Sequence, residues 1–224
     1  MRVILAIMLV VGGFAVAVIV AVPTPAEPET CPPVCDQIPG TAWIQQRAVP
    51  LYPVYNWPAL AGSAVPTTGA AAPRFRFEEL CGTPVTRQDA RDSAVAARVT
   101  LAHPDGQWQL QAQILHWRGD TARGGPTAAA VFSDAVAALR ECQRGAPAQS
   151  PSITSDESNR MAAVVSGPVV MHTYLVAHVA SSTVSELTLW SSGPPQVPWP
   201  TVADDPVLNS MTGPLCDAYI ASCP

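Results

Sequence analysis

Six cysteines are the residues of this sequence with the clearest capacity for chemistry. Cys31 and Cys35 form a C-x3-C pair with Pro-Pro-Val between them, one residue longer than the redox motif C-x-x-C. The other four are Cys81, Cys142, Cys216 and Cys223. These thiols could serve thiol exchange, bind zinc or form structural disulfides, and the compartment of the protein decides among these roles because disulfides persist only where the surroundings are oxidising.

The histidines and serines do not form a recognisable catalytic pattern. The sequence contains no G-x-S-x-G, P-loop, H-E-x-x-H or dinucleotide motif. His172 and His178 lie six residues apart in a predicted strand, on one face but about 20 Å apart, too far to share a metal. His116 could neighbour either across the sheet, and Ser166 stands beside Gly167. We expect ordinary sheet residues here, with no catalytic residue, metal or cofactor, and therefore a protein that is not an enzyme.

A ladder of glutamines is the most regular polar feature of the chain. The four amides alternate with apolar residues along one predicted strand, and they are Gln107, Gln109, Gln111 and Gln113. One interpretation is a solvated sheet face. The other is the wall of a groove that hydrogen-bonds a polyhydroxylated ligand, with Trp117, Trp190 and Trp199 adding apolar or stacking surface.

The ladder belongs to a predicted β-hairpin over residues 93–117, whose turn is His103-Pro104-Asp105-Gly106. Alternation predicts further strands, and turn residues separate them. The predicted strands are 74–77, 93–101, 107–117, 161–165, 169–179 and 183–190. Residues 50–73 are predicted to be an ordered loop packed by its own aromatic side chains, and residues 145–158 a polar loop.

Two helices complete the predicted elements, apart from a short helix around Trp43 in residues 36–49. Apolar residues from Ala128 to Leu139 recur at spacings of three and four, which predicts a helix over 124–142. A last helix is predicted within 205–221. This order indicates an α+β fold with a mostly antiparallel sheet of five or more strands, helices packed on one face and disulfides joining the parts.

The N-terminus determines the compartment. Residues 3–22 carry no charged or strongly polar side chain, and a helix of that length spans about 30 Å, the hydrocarbon thickness of a bilayer. We expect a retained transmembrane anchor at 1–22, a proline-rich stalk at 23–35 and an extracytoplasmic domain at 36–224. A cleaved signal peptide is the alternative, although Pro23 follows the end of the apolar run and makes a poor cleavage site.

An anchor of this kind delivers every cysteine to an oxidising exterior. We therefore predict that all six cysteines are in disulfides, with Cys81 bonded to Cys142. The other four either tie the end of the stalk to the C-terminal helix or pair locally. Without Arg2, the exterior part has eleven arginines against 17 acidic residues, a net charge near −6, which argues against nucleic acid as a partner.

The apolar anchor, the prolines of the stalk, the Cys31/Cys35 pair, the strand 107–117 and the segment 187–193 (Leu-Thr-Leu-Trp-Ser-Ser-Gly) resemble the trehalose monomycolate transport factors of the mycobacterial envelope. The layout is also similar to the extracytoplasmic sensor domains of mycobacterial Ser/Thr kinases. The first resemblance implies a single-pass inner-membrane protein that assists an RND-type transporter in exporting a mycolic-acid glycolipid. It implies partners in that transporter and in the glycolipid, and no particular site residue. The alternative is a ligand-sensing or cell-wall-binding module.

Overall fold

The structure of the chain is a computed structural model that describes residues 31–32, 35–67, 73–84, 89–119, 121–145 and 150–223. The predicted anchor at 1–22 and most of the predicted stalk lie outside the described residues. Among the residues described, no helix has both the length and the apolar character that crossing a membrane requires.

Seven antiparallel strands form one sheet in the order β1-β2-β3-β7-β6-β5-β4. The predicted α+β class with an antiparallel sheet of at least five strands is therefore confirmed. Strand β7 lies near the centre and is buried along its whole length. The strands are β1 (Val65–Pro66), β2 (Val95–Leu101), β3 (Gln109–His116), β4 (Ser150–Asp156), β5 (Arg160–Ser166), β6 (Val170–His178) and β7 (Thr183–Ser191).

The predicted hairpin is strands β2 and β3, which pair from Val95 opposite His116 to Leu101 opposite Leu110. The prediction of a polar loop at 145–158 is wrong over β4. This strand pairs only with β5, at the edge of the sheet. An edge strand needs few apolar residues and tolerates a proline such as Pro151, so its sequence lacks the alternation of the inner strands.

The helices are α1 (Tyr52–Tyr55), α2 (Arg76–Leu80), α3 (Thr121–Gly145) and α4 (Asp204–Ala218). The strand predicted at 74–77 is wrong, because this segment begins α2. There the carboxylate of Glu78 accepts a hydrogen bond of 2.9 Å from the backbone N–H of Phe75. The short helix predicted around Trp43 is instead two single 3₁₀ turns, Gly40–Ala42 and Gln46–Ala48.

The two long helices lie on opposite faces of the sheet, so the prediction of helices on one face is wrong. Helix α3 shares a core with Leu175 and Ala177 of β6. Helix α4 shares a second core with Tyr174 and Val176 of the same strand. Because successive strand residues point to opposite faces, these are the two sides of the sheet, named here the α3 face and the α4 face.

Glycines bring α3 close to the turn between β6 and β7. A Cβ atom at Gly125 would lie 2.7 Å from the carbonyl oxygen of Val179, and one at Gly124 would lie 2.5 Å from the hydroxyl of Ser182. This approach seals one end of the α3 face, because no larger residue fits between the helix and the turn.

All six cysteines are paired, as predicted. The Cys81–Cys142 disulfide joins the segment after α2 to the end of α3. The alternative of local pairing applies to the other four, because Cys31 bonds to Cys35 and Cys216 bonds to Cys223.

Candidate functional site

A groove on the α4 face encloses a volume of about 910 Å³. One wall is the segment 40–48 with residues 59–61 beside it. The opposite wall is one side of helix α4. It is lined by Gly40, Thr41, Trp43, Ile44, Gln45, Gln46, Arg47, Ala48, Ala59, Leu60, Ala61, Asn209, Ser210, Gly213, Pro214 and Asp217.

Helix α4 has two sides of different composition. The side that packs against the sheet is apolar and buried, and consists of Val207, Leu208, Met211, Leu215 and Ala218. The groove side consists of small and polar residues at helical spacing, namely Asn209, Ser210, Gly213, Pro214 and Asp217. One side of the helix therefore packs in the core, and the other side remains open as a wall of the groove.

The facing wall is anchored by apolar side chains that point inward. Trp43, Ile44 and Leu60 are at most 6% exposed and belong to the core of the α4 face. The more accessible Gln45, Gln46 and Arg47 follow Ile44 directly. The segment of two short 3₁₀ turns thus places two apolar anchors below the groove and three polar side chains on its rim, and Leu60 adds a third anchor from the start of another 3₁₀ turn, Leu60–Ser63.

An aromatic stack holds the loop that follows. The rings of Tyr55 and Trp57 are stacked with their centres 4.7 Å apart, and the indole N–H of Trp57 donates to the carbonyl oxygen of Pro50 at 2.8 Å. The predicted packing of aromatic residues on one another is confirmed in the described part, residues 50–67. The prediction of a loop is wrong over α1 and β1, which lie in the same part.

The groove carries balanced charge and several polar groups. Arg47 and Asp217 are the charged residues of its lining, one of each sign. Pro214 has no backbone N–H, so the carbonyl oxygen of Ser210 lacks the donor four residues ahead that a helix normally supplies. Within the described residues, the side chains of Gln45, Gln46 and Arg47 make no hydrogen bond or ion pair.

The chain enters the folded part beside the groove. The N–H of Cys31 donates to the carbonyl oxygen of Ala218 at 2.9 Å, and the N–H of Ile220 donates to that of Cys31 at 3.0 Å. Cys31 is 2% exposed. A residue that the sequence assigns to the stalk thus contacts α4 at Ala218, one residue beyond Asp217, the last residue on the groove side of the helix.

The predicted glutamine ladder does not form one open surface. Gln111 and Gln113 are buried, so neither a solvated face nor a groove wall describes them. Gln107 is partly accessible, and its side-chain oxygen accepts a hydrogen bond of 2.8 Å from the hydroxyl of Tyr55. Gln109 is also partly accessible and lies opposite Trp190 on β7.

The buried glutamines surround a carboxylate that the sequence did not single out. Glu186 on β7 is 1% exposed. It accepts hydrogen bonds from the backbone N–H of Arg76 at 2.6 Å and from the amide of Gln111 at 3.2 Å. Burial raises the pKa of Glu186 to about 7, and the N–H of Arg76 offsets part of that rise. This network fixes α2 to the sheet.

Two of the predicted tryptophans also lie on the α3 face. Trp117 is buried, and its indole N–H donates to the carbonyl oxygen of Ala90 at 3.0 Å. The guanidinium of Arg76 covers the ring of Trp190 at 4.7 Å. A second, smaller cavity of about 230 Å³ adjoins Trp190, Arg76 and Glu79.

The histidines singled out by sequence are packed among other rings and hydroxyls. His116 is buried, stacks on Tyr219 with ring centres 4.3 Å apart, and lies 3.2 Å from the hydroxyl of Thr183. His172 stacks on Trp199 at 3.6 Å, and burial lowers its pKa to about 4. His178 bonds to the hydroxyl of Ser181 at 2.8 Å. Ser166 is exposed at the end of β5.

One group of metal-ligand types occurs among the described residues, formed by Cys216, Asp217 and Cys223. Both of its cysteines are in a disulfide. Since a metal binds the thiolate form of cysteine, this arrangement does not make a metal site.

Sequence reasoning missed the groove residues. A signal for one wall was present, because five small or polar residues from Asn209 to Asp217 recur at helical spacing opposite the apolar stripe of α4. The facing wall has no comparable pattern, because single 3₁₀ turns are too short to show a repeat of apolar and polar residues. In comparison with known proteins, no family model, no curated protein and no solved structure matches this chain.

Proposed function

We propose that this chain is a non-enzymatic, membrane-anchored envelope factor that assists an RND-type transporter in exporting the glycolipid trehalose monomycolate. It acts by holding the groove on the α4 face close to the membrane surface. The observation that carries the proposal is the pairing of Cys31 with the end of α4, because the chain arrives from the predicted anchor beside the groove.

The length of the connecting segment limits how far the groove can lie from the bilayer. Eight residues, 23–30, separate the predicted anchor from Cys31. At about 3.1 Å per residue, a proline-rich segment of that length would reach about 25 Å if it were extended. A groove attached at that point stays near the outer surface of the membrane, where an exported lipid emerges.

The disulfides agree with a location outside the cytoplasm. Cys81 and Cys142 are 61 residues apart and bonded, and two further bonds join the remaining cysteines. Such bonds persist in oxidising compartments. The proposed location is therefore the inner membrane, with a single span and the folded part on the periplasmic side.

The packing of the histidines favours a binding role over catalysis. His116 and His172 are each stacked on an aromatic ring, and the lowered pKa of His172 keeps its ring neutral near pH 7. Neither ring belongs to the lining of the groove. The groove itself offers amides, one guanidinium and one carboxylate, which are groups that bind and orient a ligand.

A second candidate function is a cell-wall-binding or ligand-sensing module. The observation that favours it is the accessibility of the groove rim, where Gln45, Arg47, Asn209 and Asp217 are all exposed. A cell-wall glycan could lie along such a rim, and its binding would not require a lipid to be drawn out of the membrane.

Affinity purification of the full chain from detergent-solubilised membranes tests the proposal. We expect an RND-type transporter to co-purify with the wild-type protein. Recovery of peptidoglycan fragments or a Ser/Thr kinase in its place would favour the second candidate. A mature N-terminus between residues 20 and 31, found by mass spectrometry of the native protein, would remove the anchor on which the proposal depends.

Release from the membrane provides an independent test. A version that starts near Pro23 and is exported through a cleavable signal should fold, yet it should restore function poorly in a strain lacking the gene. Tethering raises the effective concentration beside a membrane partner without any new contact. Full restoration by the untethered version would contradict the proposed role.

A further inference from the structure

We infer that the groove on the α4 face is a binding site for a neutral carbohydrate, which under the proposed function is the headgroup of the exported glycolipid. This inference names the chemical class that the groove recognises, and it rests on the charge, the polar groups and the shape of its walls.

The charge of the groove disfavours ionic ligands. Arg47 and Asp217 are its charged lining residues, and their charges cancel. A phosphate or carboxylate ligand would meet one cation and one anion, and a cationic ligand would meet the same pair. A charged ligand that leaves water needs an opposite charge in the site that no neighbouring charge already balances. The groove has no such charge, and this favours a ligand without net charge.

The two walls complement each other as donors and acceptors. On the 40–48 side, the amides of Gln45 and Gln46 and the guanidinium of Arg47 offer N–H groups that no described residue uses. On the α4 side, the carbonyl oxygen of Ser210 and the carboxylate of Asp217 are acceptors. A hydroxyl group donates and accepts at once, so a ring with several hydroxyls can satisfy both walls.

The shape of the groove also suits sugar rings. Ala59 and Ala61 are exposed apolar residues of the lining, and the C–H face of a ring can pack against them. A Cβ atom at Gly213 would meet no heavy atom within 4 Å, so ligand groups can approach the helix backbone there. The volume of about 910 Å³ lies at the upper end of the range for small-molecule sites.

Hydrogen–deuterium exchange of the full chain in phosphatidylcholine nanodiscs tests the inference. Three additions are compared: digalactosyldiacylglycerol, phosphatidylglycerol and free maltose. We expect the disaccharide lipid to slow exchange in residues 40–48 and 209–217, by about tenfold at saturating lipid, and phosphatidylglycerol to leave both segments unchanged.

Equal protection by phosphatidylglycerol would overturn the inference, because the groove would then respond to lipid and not to sugar. If neither the disaccharide lipid nor free maltose gives protection, the inference is also overturned. Equal protection by free maltose and by the disaccharide lipid at matched concentrations would support the carbohydrate site while contradicting a glycolipid cargo, so the two proposals can fail separately.

Filling the groove provides the matched comparison. Gly213→Trp projects into open space and should abolish the protection by sugar lipid. Ala137→Trp places the same side chain at an exposed position of α3, on the other face of the sheet, and should leave the protection intact. Wild-type protection in Gly213→Trp would overturn the inference.

A second set of variants keeps the test decisive if Gly213→Trp folds poorly. Gln45→Ala combined with Arg47→Ala removes accessible groups that have no partner among the described residues. We expect at least a tenfold weaker affinity for the disaccharide lipid in this double variant. An unchanged affinity would place the sugar site elsewhere and overturn the inference.

Discussion

The two faces of the sheet are covered in different ways. On the α3 face, one helix of 25 residues, a disulfide between residues 61 positions apart and a buried polar network close the surface. On the α4 face, a shorter helix of 15 residues and a run of 3₁₀ turns and loops together cover the sheet and leave a groove between them. The α3 face is therefore covered more closely than the α4 face, where a groove remains open.

The difference arises from how much of each covering element faces inward. Helix α3 buries a full apolar stripe from Ala128 to Leu139. Helix α4 buries a similar stripe but contains Gly213 and Pro214 on its other side. Residues that weaken a helix are tolerated there because packing on the sheet, and not helix propensity, holds α4 in place.

The largest expected effect tests the closure of the α3 face. Replacing Cys81 and Cys142 together by serine should lower the free energy of unfolding by about 4 kcal/mol, because the bond closes a long loop in the unfolded chain. The same change at Cys31 and Cys35, which closes a loop of four residues, should lower it by about 2 kcal/mol. Urea denaturation measures both, and equal losses would contradict the comparison.

The next effect concerns the buried network on the α3 face. Because burial raises the pKa of Glu186 from 4.5 to about 7, the folded protein holds this proton more tightly than the unfolded chain does. The stability from this group is therefore complete below about pH 4.5 and is lost as the pH rises through about 7.

Glu186→Gln should remove that loss and raise the free energy of unfolding at pH 8 by an amount on the order of 3 kcal/mol relative to wild type. The difference between variant and wild type is the quantity to follow. His172, whose pKa is lowered to about 4, contributes an opposite slope to both proteins. A difference that stays constant from pH 5 to 8 would show that Glu186 is ionised throughout.

A glycine substitution on each face tests how closely each face is covered. Gly125→Ala should cost about 1–3 kcal/mol, because its Cβ would lie 2.7 Å from a backbone oxygen that cannot easily move. Gly213→Ala should stabilise by about 0.5–1 kcal/mol, because it adds helix propensity and meets nothing. Thermal unfolding measures both, and a loss of stability in both variants would contradict an open α4 wall.

The smallest expected effect lies on the rim of the groove. Arg47→Ala should change the free energy of unfolding by less than about 0.5 kcal/mol, because the side chain is exposed and has no described partner. A loss above about 1 kcal/mol in urea denaturation would show that Arg47 supports the fold and is not reserved for a ligand.

Periodicity made most of the regular elements predictable. The alternation in residues 107–117 and the apolar stripe from Ala128 to Leu139 report local geometry, and both appear in the structure as β3 and α3. Where the local pattern was short, prediction failed: the alternation of residues 74–77 is too brief to separate a strand from the start of α2. The edge strand β4 was missed because an edge requires little apolar surface.

The antiparallel hairpin, the long amphipathic helix and the Cys81–Cys142 pairing could be read from the sequence. Folding was needed to show that α3 and α4 cover opposite faces, that Gln111 and Gln113 lie beside Glu186 inside the protein, and that residues 40–48 face α4 across a groove. A periodic pattern tells which residues share a side of an element. It does not tell which distant segment covers that side, since contacts between segments far apart in the chain depend on how the whole sheet is assembled.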